Sequence, residues 1–209
     1  MARASLTKRR LLGIDRSGGP PPETQKGQPL RPLTVPNLIS YVRLALLPVF
    51  LALAFSSDDG REVTVAMLYW VIAIGDQLDG LAARLTGQYS RLGALLDPLT
   101  DRALVLCGAA VCWHFHLLPR WALAALGVRE LFMLALTQLG LRKGMDLRIN
   151  MVGRWAVWPV MFAIFLTLLV ESWVADASLL LGLALSLWAT AIYVHDGVRF
   201  LRQRPSRSA

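Results

Sequence analysis

Four aspartates carry the chemistry of this chain. Asp76 and Asp79 stand three residues apart, and Asp97 and Asp101 four apart, in stretches otherwise dominated by Leu, Ala and Gly. On a helix either interval places both carboxylates on one face. Two such helices joined by a short turn would aim four carboxylates at one point. An oxygen-only donor set suits hard cations such as Mg²⁺, Mn²⁺ or Ca²⁺. Four carboxylates exceed what one Mg²⁺ takes from protein, which leaves room for two ions, and paired metals are a device of phosphoryl transfer. The plainer reading, four solvated acids flanking a loop, sits badly with the spacing. Gly80 and Ala83 share a face with Asp76, and Gly93 shares one with Asp97. Small residues let helices pack closely or let a ligand reach the backbone. Arg84 follows at once and offers a fixed cation for a phosphate, or else an anchor at the helix end.

The surroundings make these acids expensive. Of 209 residues, 55% are hydrophobic and 17% charged, with a mean hydropathy of +0.48. Ordinary soluble domains hold about 45–50% apolar and about 25% charged residues. A central Asp in a membrane helix costs about 2.5–3.5 kcal/mol, so four would cost on the order of 10 kcal/mol, as much as a domain's stability. The acids must therefore lie near the interface, bind cations, or both. The two cysteines, Cys107 and Cys112, fall in an apolar run, which excludes a disulfide scaffold and zinc-type spacing. The net charge of +8 is crowded into the ends and certain loops, which points to a membrane surface and away from nucleic acid.

The elements that must position the acids read as an all-α integral membrane protein with six transmembrane helices. A span needs roughly 20 apolar residues. The candidates are Val35–Ser57, Val63 into Gly75, Leu92 through Leu118, Trp121–Leu141, Trp155–Val170 and Leu179–Val194. Residues 1–34 form a basic, proline-rich tail, 35–200 the six-span domain and 201–209 a basic C-terminal tail. The first span begins behind that polar tail and lacks a small-residue cleavage signature, so it is not read as a cleaved signal. Seven Lys or Arg precede the first span, and Arg84, Arg91 and Arg102 cluster between the second and third. Arg142, Lys143, Arg148 and Arg154 follow the fourth, and Arg199, Arg202, Arg204 and Arg207 the sixth. The intervening loops are poor in bases. This alternation predicts both termini in the cytoplasm and the four acids at the cytoplasmic ends of helices 2 and 3. His114, His116 and His195 read as interfacial residues, and Trp113, Trp121, Trp155 and Trp173 as an aromatic belt.

Residues 76–101 read D-Q-L-D-G-L-A-A-R, eight residues, then G-A-L-L-D-P-L-T-D. This resembles the signature of the CDP-alcohol phosphotransferase (CDP-alcohol phosphatidyltransferase) family, D-x-x-D-G-x-x-A-R, eight residues, G-x-x-x-D-x-x-x-D, at every fixed position. The run Val35-Pro36-Asn37-Leu38-Ile39-Ser40, with Arg43 and Pro48, is similar to that of phosphatidylglycerophosphate synthases and related cardiolipin synthases. The resemblance implies six spans, a homodimer in the plasma membrane, and two divalent ions, Mg²⁺ or Mn²⁺. It implies that Asp76, Asp79 and Asp97, with Asp101 close by and sharing in ligation, hold the metals. Gly80, Ala83, Arg84 and Gly93 would surround the CDP moiety. Asp101 would be the general base, taking a proton from an acceptor hydroxyl that attacks the lipid-side phosphorus of CDP-diacylglycerol and expels CMP.

The acceptor is less sharply written. Arg129, Arg148 and Arg154 are candidate ligands for a phosphorylated alcohol. Against that, the loop bases serve equally as positive-inside charge, and Arg129 with Glu130 as an intramembrane ion pair. The family's Gly-Lys-x-x-Thr at the fifth span is here Gly153-Arg154-Trp155-Ala156-Val157, which keeps a cation but loses the Thr. Glycerol 3-phosphate is the expected acceptor, with phosphatidylglycerol, giving cardiolipin, the runner-up. A divalent-cation transporter, whose acids would lie near mid-membrane, and a non-catalytic membrane scaffold are the readings from other classes. CMP release from CDP-diacylglycerol separates them.

Overall fold

A computed structural model describes residues 31–142 and 151–203 and is all-helical there. The helices are α1 (Val35–Ser56), α2 (Val63–Thr86), α3 (Arg91–His114), α4 (Arg120–Arg142), α5 (Met151–Leu169) and α6 (Trp173–Gln203). The expected tail before residue 31, the loop base Arg148 and the last six residues lie outside the described residues.

Local chemistry fixes the helix ends. Thr34 caps α1: its carbonyl accepts from the Leu38 N–H at 3.0 Å and its hydroxyl from the Asn37 N–H at 3.4 Å. Pro36 falls in the first turn, where its missing N–H costs nothing. α2 does not stop at Gly75, as the apolar count alone suggests, but carries the acids onward in helix to Thr86. It ends at Gly87, whose φ of +66° is the left-handed conformation that closes helices. Ser172 caps α6, its hydroxyl accepting from the Val174 N–H at 3.2 Å. α6 then runs past Val194 to Gln203, carrying Gly197 within it, because no proline interrupts the segment before Pro205.

Three described helical segments are long and apolar enough to cross a membrane: Val35–Ser56, Val63–Thr86 and Trp173–His195. α3, the expected third span, is not among them, since it contains Asp97, Asp101 and Arg102. α1 is built inside out relative to a helix of a soluble protein. Its buried stripe includes Asn37, Ser40 and Arg43, while Leu38, Val42 and Val49 are exposed. That arrangement is stable where the surroundings are hydrocarbon and the polar groups find partners inside.

The chain divides into two units, Met1–Ser56 with Met67–Cys107, and Ser57–Ala66 with Gly108–Ala209. In the first, contacts fix the helix directions. Ser40, Arg43 and Phe50 of α1 meet Asp79, Ile72 and Tyr69 of α2 in descending order, so the two run antiparallel. Ser40 and Arg43 meet Asp97 and Asp101 of α3 in ascending order, so those two run parallel.

In the second unit α6 packs against α5 at Gly182, where a Cβ would lie 2.5 Å from Val160 Cγ2 and 2.9 Å from its backbone nitrogen. Such contact is available only to a glycine. His116 has a φ of +58°, and its ring lies 2.7 Å from an Arg120 nitrogen; Arg120 in turn sits over Trp113. Trp113, Trp121 and Trp173 are exposed, as membrane-interface residues would be.

Candidate active site

The first unit brings the four acids of α2 and α3 together on one face of α1. Asn37, Ser40 and Arg43 follow one another at intervals of three residues and so form one stripe along that helix. Each step of the stripe meets a step of the motif.

Asn37 is fully buried. Its side-chain nitrogen donates to the carbonyls of Arg31 and Pro32 at 3.0 and 3.2 Å. Its side-chain oxygen accepts from the Ser90 hydroxyl at 2.8 Å, and that hydroxyl accepts from the Gly93 N–H at 2.9 Å. The chain before α1 and the turn before α3 are thereby tied to one amide. A second tie is the Val35 N–H, which donates to the Gln88 side-chain carbonyl at 3.0 Å.

One turn further on, the Ser40 hydroxyl lies 3.1 Å from Asp97 Oδ1 and 3.4 Å from Asp79 Oδ2. It is also 3.2 Å from the Pro36 carbonyl. Its single proton serves one of the three at a time.

Arg43 completes the stripe. Its Nε donates to the Ile72 carbonyl at 2.9 Å, Nη1 to Asp79 Oδ2 at 3.0 Å and Nη2 to Asp101 Oδ1 at 2.8 Å, with Asp76 Oδ1 3.6 Å from Nη1. Gly75 leaves the path for its stem: a Cβ there would stand 2.7 Å from Arg43 Cδ.

The acids differ in access. The Asp79 side chain is 3% exposed, those of Asp76 and Asp101 28% and 30%. Asp97 is half-buried. Among the described residues no three carboxylates stand close enough to enclose an ion as they are. They are linked instead through Arg43 and Ser40.

The small residues separate into two kinds. Gly93 is buried against Asn37, whose side-chain oxygen would lie 2.6 Å from a Cβ, so its size serves helix packing. Gly80 is half-buried and faces the Arg84 guanidinium, 3.6 Å from where a Cβ would be. Ala83 is half-buried too. Arg84 Nε is buried without a hydrogen-bond partner among the described residues.

Of the expected acceptor ligands, Arg129 lies in the second unit and is engaged there. Its guanidinium pairs with Glu130 and donates to the Thr190 hydroxyl at 3.1 Å. This is the ion pair that its sequence neighbour suggests. Arg154 is described only as part of the α5 backbone, and Arg148 falls outside the described residues.

The roles of Asn37, Ser40 and Arg43 were not assigned from sequence. The signal was present: Arg43 is the sole charge of the first span, and an ionisable residue inside a membrane helix is a functional candidate by default.

Comparison with known proteins bears on the whole chain. The family model for CDP-alcohol phosphatidyltransferases matches residues 33–188. A cardiolipin synthase (CMP-forming) of Streptomyces coelicolor is 33% identical over 92% of this chain and 94% of its own length. A putative cardiolipin synthase of Mycobacterium tuberculosis is 32% identical over 84% of this chain and 88% of its own. A CDP-diacylglycerol–glycerol-3-phosphate 3-phosphatidyltransferase of Bacillus subtilis is 27% identical over 65% of this chain and 76% of its own.

Proposed function

Because the chain belongs to the CDP-alcohol phosphatidyltransferase family, we propose that it moves a phosphatidyl group from CDP-diacylglycerol to an alcohol, with release of CMP. The observation that carries this reading is the gathering of all four motif acids around one stripe of α1.

The donor set fits hard divalent ions by type: three carboxylates meet the Arg43 guanidinium and the fourth, Asp97, meets the Ser40 hydroxyl, so the gathered acids offer oxygen alone. Asp76, Asp79 and Asp97, with Asp101 sharing, would hold Mg²⁺ or Mn²⁺. Bound metal supplies charge neutralisation for the diphosphate and for the departing CMP. Asp101, one of the more open acids, takes the proton of the acceptor hydroxyl. The freed oxygen forms a bond to the lipid-side phosphorus, and the bond from that phosphorus to the CMP oxygen breaks. Arg84, with an N–H still to satisfy, binds phosphate beside Gly80 and Ala83. Gly93 contributes by letting α3 close on Asn37.

Phosphatidylglycerol is the acceptor this reading takes first, giving cardiolipin. Support comes from relatives named cardiolipin synthase that align over more than four fifths of both chains. Glycerol 3-phosphate, the expectation from sequence, remains the second reading, favoured by the Bacillus subtilis relative. Arg129, held by Glu130, is the weakest acceptor ligand of the three, which leaves Arg154 and Arg148. The protein would act as a plasma-membrane homodimer with both termini in the cytoplasm.

The test is an acceptor panel with purified protein, CDP-diacylglycerol and Mg²⁺ or Mn²⁺, scoring CMP release and lipid product. Cardiolipin from phosphatidylglycerol is the expected result. Chloroform-soluble label from glycerol 3-phosphate, with no cardiolipin formed, establishes the second reading. Release of no CMP with any alcohol overturns the transferase assignment.

A further inference from the structure

We infer that Arg43 is the positioning residue of the carboxylate site: it sets the spacing between the acids of α2 and those of α3, and the site's affinity for divalent cations depends on its forked geometry and not on its charge alone. The inference rests on the metal-binding reading above.

Three observations carry it. The guanidinium uses separate nitrogens for separate jobs. Nε is anchored on the Ile72 carbonyl, Nη1 faces Asp79 and Asp76 on α2, and Nη2 holds Asp101 on α3. Anchoring Nε on a backbone group removes the freedom of the planar fork to turn, so the directions of the other two nitrogens are fixed. Next, Asp76, Asp79 and Asp101 each give Arg43 one oxygen and keep a second with lone pairs for another partner, that of Asp76 also accepting from the Gln77 amide at 3.2 Å. This is how groups behind a metal ligand orient it without replacing the metal. Finally, the Arg43 side chain is only 3% exposed, and Gly75 is carved to admit its stem. A residue present merely as a membrane-helix counter-charge needs neither the anchor nor the carved path.

Lysine discriminates the two possibilities. It keeps the charge on a single nitrogen, which cannot bond the Ile72 carbonyl, Asp79 and Asp101 in three fixed directions at once. The experiment measures Mn²⁺ binding to the purified full-length chain in detergent by electron paramagnetic resonance, without lipid substrate. Wild type, Arg43→Lys and Arg43→Met are compared, with helicity and thermal unfolding recorded for each. Both variants should bind Mn²⁺ about 10–100-fold more weakly than wild type, the usual loss when an orienting partner is removed. Should Arg43→Met not fold, Arg43→Lys decides alone. Wild-type affinity in folded Arg43→Lys overturns the inference, because charge alone then suffices. Tighter binding in either variant overturns it too, since Arg43 would then be a competitor of the metal. Saturable Mn²⁺ binding absent from wild type removes the metal reading itself, and that outcome is distinct from a failure specific to Arg43.

Discussion

The backbone of Gly93 lies directly against the side-chain oxygen of Asn37, 56 positions earlier, with 2.6 Å between that oxygen and the place a Cβ would take. Asn37 cannot retreat, because its nitrogen is held by the Arg31 and Pro32 carbonyls and its oxygen by Ser90. Gly93→Ala should therefore destabilise the protein by about 1–3 kcal/mol, the usual cost of overpacking a filled site. Thermal unfolding in detergent checks this. A variant as stable as wild type would show that α3 can shift away from α1 freely.

Loss of a ligand acid should be severe. Asp79→Ala and Asp97→Ala are each expected to abolish transfer and the saturable dependence of rate on Mg²⁺ or Mn²⁺. Asp79→Ala also strips a partner from buried Arg43, so some loss of stability should accompany it. Near-normal turnover by either variant at ordinary metal concentration would exclude that residue as a ligand.

Asp101→Asn separates binding from chemistry. The amide preserves size and still offers Arg43 an oxygen, but it cannot take a proton. CDP-diacylglycerol should bind as before while the transfer rate falls about 10²–10⁴-fold. Turnover within about tenfold of wild type would assign the base to another group.

The Arg129–Glu130 pair should behave as structure and not as a substrate contact. Arg129→Met leaves Glu130, which is 5% exposed, without its guanidinium and should cost about 3–5 kcal/mol. Replacing both residues with Met should restore most of that stability. Acceptor KM in the double variant is the decisive number. A large rise in a stable protein would return Arg129 to the acceptor site.

Topology is checked by single-cysteine labelling from either side of the membrane. Positions 148 and 59 should label from opposite sides, because the basic loop and the acidic loop lie at opposite ends of the expected spans. Labelling of both from one side would break the six-span arrangement.

The α2–α3 acids were legible in sequence because their spacing is local: intervals of three and four residues on a helix translate directly into a shared face. Their partners were not. Ser40 is 57 residues from Asp97, and Arg43 is 58 from Asp101. No periodicity within one segment reports on a contact of that range. Gly93 shows a related limit. Its place in the motif suggested a neighbour of the nucleotide, yet packing against Asn37 already demands a glycine there. The span count was blurred by the acids themselves, since the charges that mark α3 as functional also lower its hydropathy below what length and composition require of a span.

The turn between α2 and α3 places a different kind of demand on the chain. From Arg84 to Gly93 the eight intervening residues carry none of the proposed ligands, and several of them face solvent or lipid. Apart from Gly87, Gln88 and Ser90, their number matters more than their identity. Each residue added to a helix rotates every later side chain by about 100°. One insertion within the helical part of this stretch would swing Asp97 and Asp101 off the face that meets Ser40 and Arg43, with every reactive group still present. Outside Gly87, Gln88 and Ser90 the segment should tolerate substitution widely and insertion hardly at all, so that length, which no inventory of side chains records, is itself under constraint.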